Sequence, residues 1–289
     1  MTEPADRAEP MAGRVCVLTG ASSGIGRAAC VALARLGATM VLVARDAGRG
    51  EAALSDVSAA ATGAQPTLEL ADLASQEQVR SLAQRLCQLP RIDVLINNAG
   101  LIVGKREYTN DGIERTFAVN HLAPFLLTNL LTGKLVASGR SRVVTVSSIA
   151  HRWARLHPEQ VALPEFYVPM LAYANSKLAN ILFTRALARR LGDSQATANC
   201  LHPGTVSTRF GQSGEPWLRF GMRVIAPVIR SAESGAKTVV YLASSAEVDG
   251  ETGGHYVSCQ RRQPSGAARN DDLAERLWEV SAKLTGLAE

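Results

Sequence analysis

Tyr173 and Lys177 stand four residues apart in the run Tyr173-Ala174-Asn175-Ser176-Lys177. On a helix that spacing puts both side chains on one face, one turn from each other. A free phenol titrates at about 10 and exchanges protons poorly at neutral pH. An ammonium beside it favours the phenolate and lowers that value. Such a pair can pass a proton to or from a substrate oxygen near neutrality. A surface Tyr and a surface Lys on an amphipathic helix share the spacing, so the rest of the chain has to decide.

A pair of this kind needs a scaffold, and the chain supplies one from its start. Val15–Thr19 is a short apolar run that reads as a strand buried on both faces. It ends in Gly20-Ala21-Ser22-Ser23-Gly24-Ile25-Gly26, and Ile25, Ala29, Ala32, Leu33 and Leu36 then recur at helical spacing. Strand, glycine-rich turn and helix form the first half of a βαβ unit. Glycines there let backbone approach a pyrophosphate, and the helix N-terminus offers N–H donors. The second strand runs from Thr39 to Asp46. Its end carries Arg45, whose planar guanidinium suits the 2′-phosphate of NADP. Asp46 argues for NAD by offering a carboxylate to a ribose hydroxyl, or it caps the next helix. The reading favours NADP.

A polar helix over 48–62, a strand at Thr67–Leu70 and a helix over 76–89 follow. Between the last two, Asp72 either accepts from an adenine amine or caps the helix beginning near Ser75, with Leu73 beside it. Ile92–Asn97 is a fourth strand closing in Asn98-Ala99-Gly100, small residues that leave room for a ribose. The pattern from Thr109 predicts one long helix through Asn120 to Leu131, with Asn120 among apolar neighbours. Arg142–Val146 is a fifth strand ending at Ser147-Ser148, where α/β enzymes bind ligands. The irregular, Pro-containing stretch over 149–172 reads as a substrate mouth. The helix of Tyr173 and Lys177 runs on to about Leu191. Strands follow at Ala196–Leu201 and Gly254–Ser258, with helices over 232–243 and near the C-terminus. Between them, 209–229 mixes Gly and Pro with Trp217, Leu218, Phe220 and Met222. That composition suggests a mobile apolar flap, or else a core or oligomer-contact segment.

Composition narrows the function classes. The chain has 289 residues, 46% of them hydrophobic, enough for one large α/β core. Its net charge is +5, from 31 basic and 26 acidic residues not gathered in long runs, which argues against nucleic acid. Five cysteines show no zinc spacing, and their odd number suggests reduced thiols in a cytoplasmic protein. Residues 1–12 read as a short mobile tail before a single domain over 13–289. The longest apolar stretch, near Leu122–Leu131, is too short for an integral membrane segment and contains Pro124.

Taken together, these residues resemble the short-chain dehydrogenase/reductase family. The resemblance rests on Thr19-Gly20-x-x-x-Gly24-x-Gly26, Asn97-Asn98-Ala99-Gly100, Asn120, Ser148, Tyr173-x-x-x-Lys177 and Pro203-Gly204, in the family's order. Within it the chain is most similar to the retinol-dehydrogenase-like branch, through Asp111-Gly112-Ile113-Glu114, Val119-Asn120-His121-Leu122, Ser147-Ser148-Ile149-Ala150-His151 and Ala172–Asn180. It departs from membrane-attached members by lacking an apolar N-terminal segment, and at Ala44, where that branch commonly has Cys.

The resemblance implies an α/β Rossmann-type fold, a doubly wound seven-stranded parallel sheet. Tyr173 would be the acid/base, and Ser148 would hold the substrate oxygen. Lys177 would bind the nicotinamide ribose and lower the Tyr173 pKa. Asn120 would hold a water linking Lys177 to solvent. Gly20 to Gly26, with Ser22, Ser23, Gly24 and Ile25, would cradle the pyrophosphate. Arg45, Asp72, Leu73, Asn98, Ala99, Gly100, Tyr173 and Lys177 would line the rest of the NADP(H) site. Pro203, Gly204, Val206 and Thr208 would meet the carboxamide. The implied reaction is hydride transfer between NADP(H) and a small apolar carbonyl or alcohol. A biosynthetic ketoreductase of a polyketide or steroid-like compound is an alternative, and so is a non-catalytic NADP-binding sensor. A homodimer or homotetramer through the helices around Asn120 and Tyr173 stays open.

Overall fold

The computed structural model describes residues 10–164, 166–204 and 231–287. Among them, eight strands form one sheet in the order β3-β2-β1-β4-β5-β6-β7-β8. These are β1 (Val15–Thr19), β2 (Thr39–Ala44), β3 (Thr67–Leu70), β4 (Val94–Asn97), β5 (Arg142–Val146), β6 (Thr197–His202), β7 (His255–Val257) and β8 (Gln260–Arg261). Seven pair in parallel and β8 alone runs antiparallel, on β7. The expected seven-stranded parallel sheet is thus extended by one strand. The two-residue loop Ser258-Cys259 can only return the chain antiparallel.

The helices are α1 (Gly24–Arg35), α2 (Ala47–Ala60), α3 (Gln76–Cys87), α4 (Arg115–Phe117), α5 (Ala123–Ala137), α6 (Pro169–Leu191), α7 (Ala232–Ser244) and α8 (Asp271–Leu284). Alternation along each strand divides them between two faces. Cys16, Leu18, Met40, Leu42, Ile96, Val144 and Val146 pack with Ile25, Ala29, Leu33, Val239 and Leu242 of α1 and α7. Val15, Val17, Val41, Val43, Leu95 and Val143 pack with Val79, Leu82, Leu126, Leu131, Phe183 and Leu187 of α3, α5 and α6. Both faces are apolar, which is why the strands read as unbroken hydrophobic runs.

The helix expected from Thr109 starts at Arg115 instead. Asn110-Asp111-Gly112 turns the chain, with Gly112 at φ +73°, and Thr109 N donates to Ile113 O at 2.9 Å. Glu114 then caps α4, its carboxylate accepting from Thr116 N and Phe117 N, both at 2.8 Å. A π turn over Ala118–Leu122 holds Asn120 and hands over to α5. At the N-terminal side, residues 1–9 of the expected tail lie outside the described residues. Met11, near its end, is buried, and its backbone bonds Leu36 O. The 209–229 segment, with Val206 and Thr208, also lies outside them.

Candidate active site

The order β3-β2-β1-β4 reverses direction between β1 and β4, and a crevice opens where the loops leaving these two strands part. Gly20, at φ +72°, ends β1, and a Cβ on it would come 2.8 Å from Ala99 Cα. A Cβ on Gly26 would come 2.3 Å from Gly20 O. Only glycine fits either place. Ser23 is the N-cap of α1, yet its side chain makes no capping bond, and the first turn holds no acidic residue. Ser22, Ser23 and Gly24 are half-buried, while Ile25 and Gly26 are buried beneath them. An uncapped helix N-terminus behind a glycine turn fits a pyrophosphate, which would supply the missing acceptors.

Thr19 organises the crevice, a role that the motif it opens does not reveal in sequence. Its hydroxyl accepts from Asn98 N and Ala99 N at 3.1 and 3.2 Å. The Asn98 amide donates to Thr19 O at 2.9 Å and Gly20 O at 3.3 Å. Asn98 therefore ties the two loops together. Arg45 is exposed at the end of β2. Asp46 caps α2, accepting from Arg49 N at 2.9 Å. That bond and the Arg49 side chain hold its carboxyl below the usual range. Asp72 does not cap α3: its carboxylate accepts from Ala74 N, and Ser75 is the cap. Leu73, which follows it, is half-buried, and so are Pro203 and Gly204 after β6.

Ser148, Tyr173, Lys177 and Asn120 converge at the C-terminal ends of β4 and β5. Ser148 follows β5 and caps the 3₁₀ turn Ile149–Trp153, accepting from Ala150 N at 3.2 Å. Its hydroxyl lies on the side of the Tyr173 phenol and favours the phenolate. Burial pushes that phenol up to about 12, and Ser148 opposes the rise. Lys177 is 2% exposed, with Nζ 5.6 Å from the Tyr173 ring centre. It donates to Val146 O at 3.1 Å, and burial lowers it to about 8. The net shift of Tyr173 is thus upward, set by desolvation of the phenol rather than by the Lys177 charge. The ammonium points at a carbonyl, and desolvation of the phenol outweighs it.

Asn120 is fully buried in the π turn. Its Oδ1 accepts from Leu101 N at 2.7 Å, and its Nδ2 donates to Leu101 O at 2.9 Å and Ser176 Oγ at 3.0 Å. The amide clamps the loop after Gly100 to α6. A Cβ on Gly100 would lie 3.3 Å from both Asn120 Oδ1 and Lys177 Nζ. Asn180, one turn beyond Lys177, shares its anchor by donating to Val146 O at 3.2 Å. Ser147 accepts no less a part: its hydroxyl donates to Lys177 O at 2.7 Å. These supports are polar residues inside apolar runs, a signal visible in sequence but silent about partners.

A model of the family described as short chain dehydrogenase matches residues 14–219. The chain belongs to the short-chain dehydrogenase family. This short-chain dehydrogenase is 40% identical over 296 residues to retinol dehydrogenase 14 of Homo sapiens, covering 96% of this chain and 88% of that protein. It is 38% identical to retinol dehydrogenase 12 of Mus musculus, covering 95% and 87%. It is thus an oxidoreductase of the retinol-dehydrogenase-like branch. Among solved structures, an uncharacterized protein from Mycobacterium Paratuberculosis superposes with a TM-score of 0.78 at 35% identity, covering 95% and 94%. An NAD(P) dependent gluconate 5-dehydrogenase from Beutenbergia cavernae, with NADP bound at low occupancy, superposes at 0.70 with 29% identity, covering 87% and 97%. Among the described residues, no helix of this short-chain dehydrogenase is long and apolar enough to cross a membrane.

Proposed function

We propose that this short-chain dehydrogenase is an NADP(H)-dependent enzyme acting on an apolar aldehyde, ketone or secondary alcohol, with Tyr173 as acid/base. The observation that carries the reading is the convergence of Ser148, Tyr173 and Lys177 beside the glycine-lined crevice, with Lys177 Nζ 5.6 Å from the Tyr173 ring centre and 3.3 Å from where a Cβ on Gly100 would stand. A bound nicotinamide supplies or accepts the hydride. The chain's own part is to orient and to move a proton. Ser148 hydrogen-bonds the substrate oxygen. Tyr173, held neutral by burial, gives its phenolic proton to that oxygen in reduction. Lys177, charged below about 8, stabilises the phenolate left behind. Asn120 holds the loop after Gly100 against α6, which keeps the crevice wall in register.

Arg45 supports NADP, because Asp46 is already engaged in capping α2. Trp153, Leu163, Phe166, Val168 and Met170 are exposed in the stretch that precedes Tyr173, which supports an apolar substrate. The names of the relatives point the same way, toward retinoid-like alcohols and aldehydes. Five free cysteines, three of them buried, support a reducing compartment such as the cytoplasm.

The test is nicotinamide oxidation with NADPH and NADH in parallel, against apolar aldehydes and ketones that include retinal. Turnover with NADPH, lost by about 10²-fold or more in Tyr173→Phe, is expected. Full activity in that variant overturns the catalytic assignment, and preference for NADH overturns the cofactor. Tight NADPH binding without turnover on any substrate would favour the sensor.

A further inference from the structure

We propose that His151 is a positioning residue for Ser148, with its imidazole fixed as the Nδ1–H tautomer by the backbone N–H of Ser265. The inference rests on the reading of Ser148 as the group that holds the substrate oxygen. His151 lies three residues beyond Ser148, in the 3₁₀ turn that Ser148 caps, and is 2% exposed. Its Nδ1 is 2.7 Å from Ser148 O, and Ser265 N is 3.2 Å from its Nε2. A backbone N–H only donates and a carbonyl only accepts. Nε2 must therefore be the acceptor, and Nδ1 must carry the proton. An imidazolium would set an N–H against the Ser265 N–H, and the other tautomer would set a lone pair against Ser148 O.

The Ser148 carbonyl thus takes two donors from one residue, His151 Nδ1–H and, at 3.2 Å, His151 N–H. Together they fix the peptide plane that follows the Ser148 Cα, and with it the direction in which Oγ leaves the backbone. Ser148 Oγ already accepts from Ala150 N at 3.2 Å, so a rotated backbone would cost it that bond and its place beside Tyr173. The anchor comes from far along the chain. Ser265 follows β8 and precedes the turn Ala267–Arg269. The ring of His255, on β7, packs edge-on against His151 with centres 5.4 Å apart. His151 therefore makes the antiparallel hairpin that the sheet adds at its edge part of the scaffold of the site.

The experiment compares Ser148→Ala with His151→Ala, His151→Asn and His151→Gln in steady-state turnover with NADPH and the best carbonyl substrate. An Asn amide at 151 places a donor where Nδ1 stands, whereas a Gln amide reaches the Nε2 position near Ser265. We expect kcat to fall about tenfold in His151→Ala, with KM changing less than about twofold, since a small misplacement of a reacting group costs this much. Asn should restore most of kcat, and Gln should not, although both keep a polar amide. Long-range ¹⁵N–¹H spectra of the wild-type protein should show His151 protonated on Nδ1. Wild-type kcat in His151→Ala alongside a disabled Ser148→Ala would overturn the proposal and leave the catalytic reading standing. Equal rescue by Gln and Asn, or protonation on Nε2, would also overturn it. Full activity in both Ser148→Ala and His151→Ala would instead overturn the catalytic reading, and the proposal with it.

Discussion

At the scale of single residues, the proposed proton chemistry rests on two opposed shifts with one cause. Burial raises the Tyr173 phenol to about 12 and lowers the Lys177 ammonium to about 8. The phenol therefore meets substrate with its proton in place across the physiological range. The ammonium is the group that titrates first. Carbonyl reduction should hold steady up to about pH 8 and decline above it, as Lys177 loses the charge that stabilises the nascent phenolate. A pH profile of kcat/KM checks this, and Lys177→Arg, which cannot lose its charge, should remove the declining limb. The proposed preference for NADP is tested at the same scale. Asp46 is spent on Arg49 N, while Arg45 stands exposed at the end of β2. A charge-assisted pair with a phosphate is worth roughly 1.5–3 kcal/mol. Arg45→Ala should thus raise KM for NADPH about 10- to 100-fold and leave KM for NADH nearly unchanged, measured by initial rates.

At the scale of elements, the central strands and helices were legible because their patterns are strong. β1, β2, β4 and β5 are buried on both faces and show unbroken apolar runs; α1 and α3 show one apolar stripe. What sequence left unseen has local causes. The break at 109–114 depends on Gly112 adopting φ +73° and on Glu114 folding its carboxylate back onto α4. Asp111-Gly112 signals such a turn, yet the surrounding helical spacing conceals it. The pairwise ties of Thr19 to Asn98 and of His151 to Ser265 span 79 and 114 residues, and no periodicity reports them. β8 escaped for a conformational reason. Its loop puts Ser258 at φ +50° and Cys259 at φ +62°, where Asn-Gly would have announced a hairpin. Left-handed backbone costs a side chain about 1 kcal/mol that glycine does not lose. Cys259→Gly should therefore stabilise the protein by about 0.5–1 kcal/mol, read as a higher urea midpoint.

At the scale of the whole molecule, α8 closes the side of the protein on which α5 and α6 lie. Trp278 stacks on Phe183 at 5.8 Å, meets Phe125 edge-on at 4.9 Å, and lies under the Arg190 guanidinium at 4.0 Å. Arg185, Arg189 and Arg190 of α6 pair with Asp271 and Glu275. A second copy docking on the α5–α6 face would have to displace α8, so any assembly that light scattering detects above the 30.7 kDa of one chain should not pair through that face. Under α8, His121 joins the two helices to it through Asn180 Oδ1 at 3.3 Å and Ser281 Oγ at 2.9 Å. Burial holds His121 at about 4, and burial with His151 nearby holds His255 at about 4. Both sit below the ordinary 6.5, so between pH 6.5 and 4 the unfolded chain binds protons that the folded chain refuses. Stability is therefore complete above pH 6.5 and is lost as pH falls toward 4, by on the order of 3 kcal/mol for each histidine. Below pH 4 both states are protonated at these sites and the two histidines add no further loss. His255 isolates the effect, because neither of its ring nitrogens has a hydrogen-bond partner among the described residues. His255→Phe keeps an aromatic ring there and removes both the unpaired nitrogens and the titration. Thermal melts at pH 8 and pH 5 should show the variant losing less on acidification than the parent. Equal acid sensitivity in the two proteins would mean that His255 does not set this limb of the stability profile.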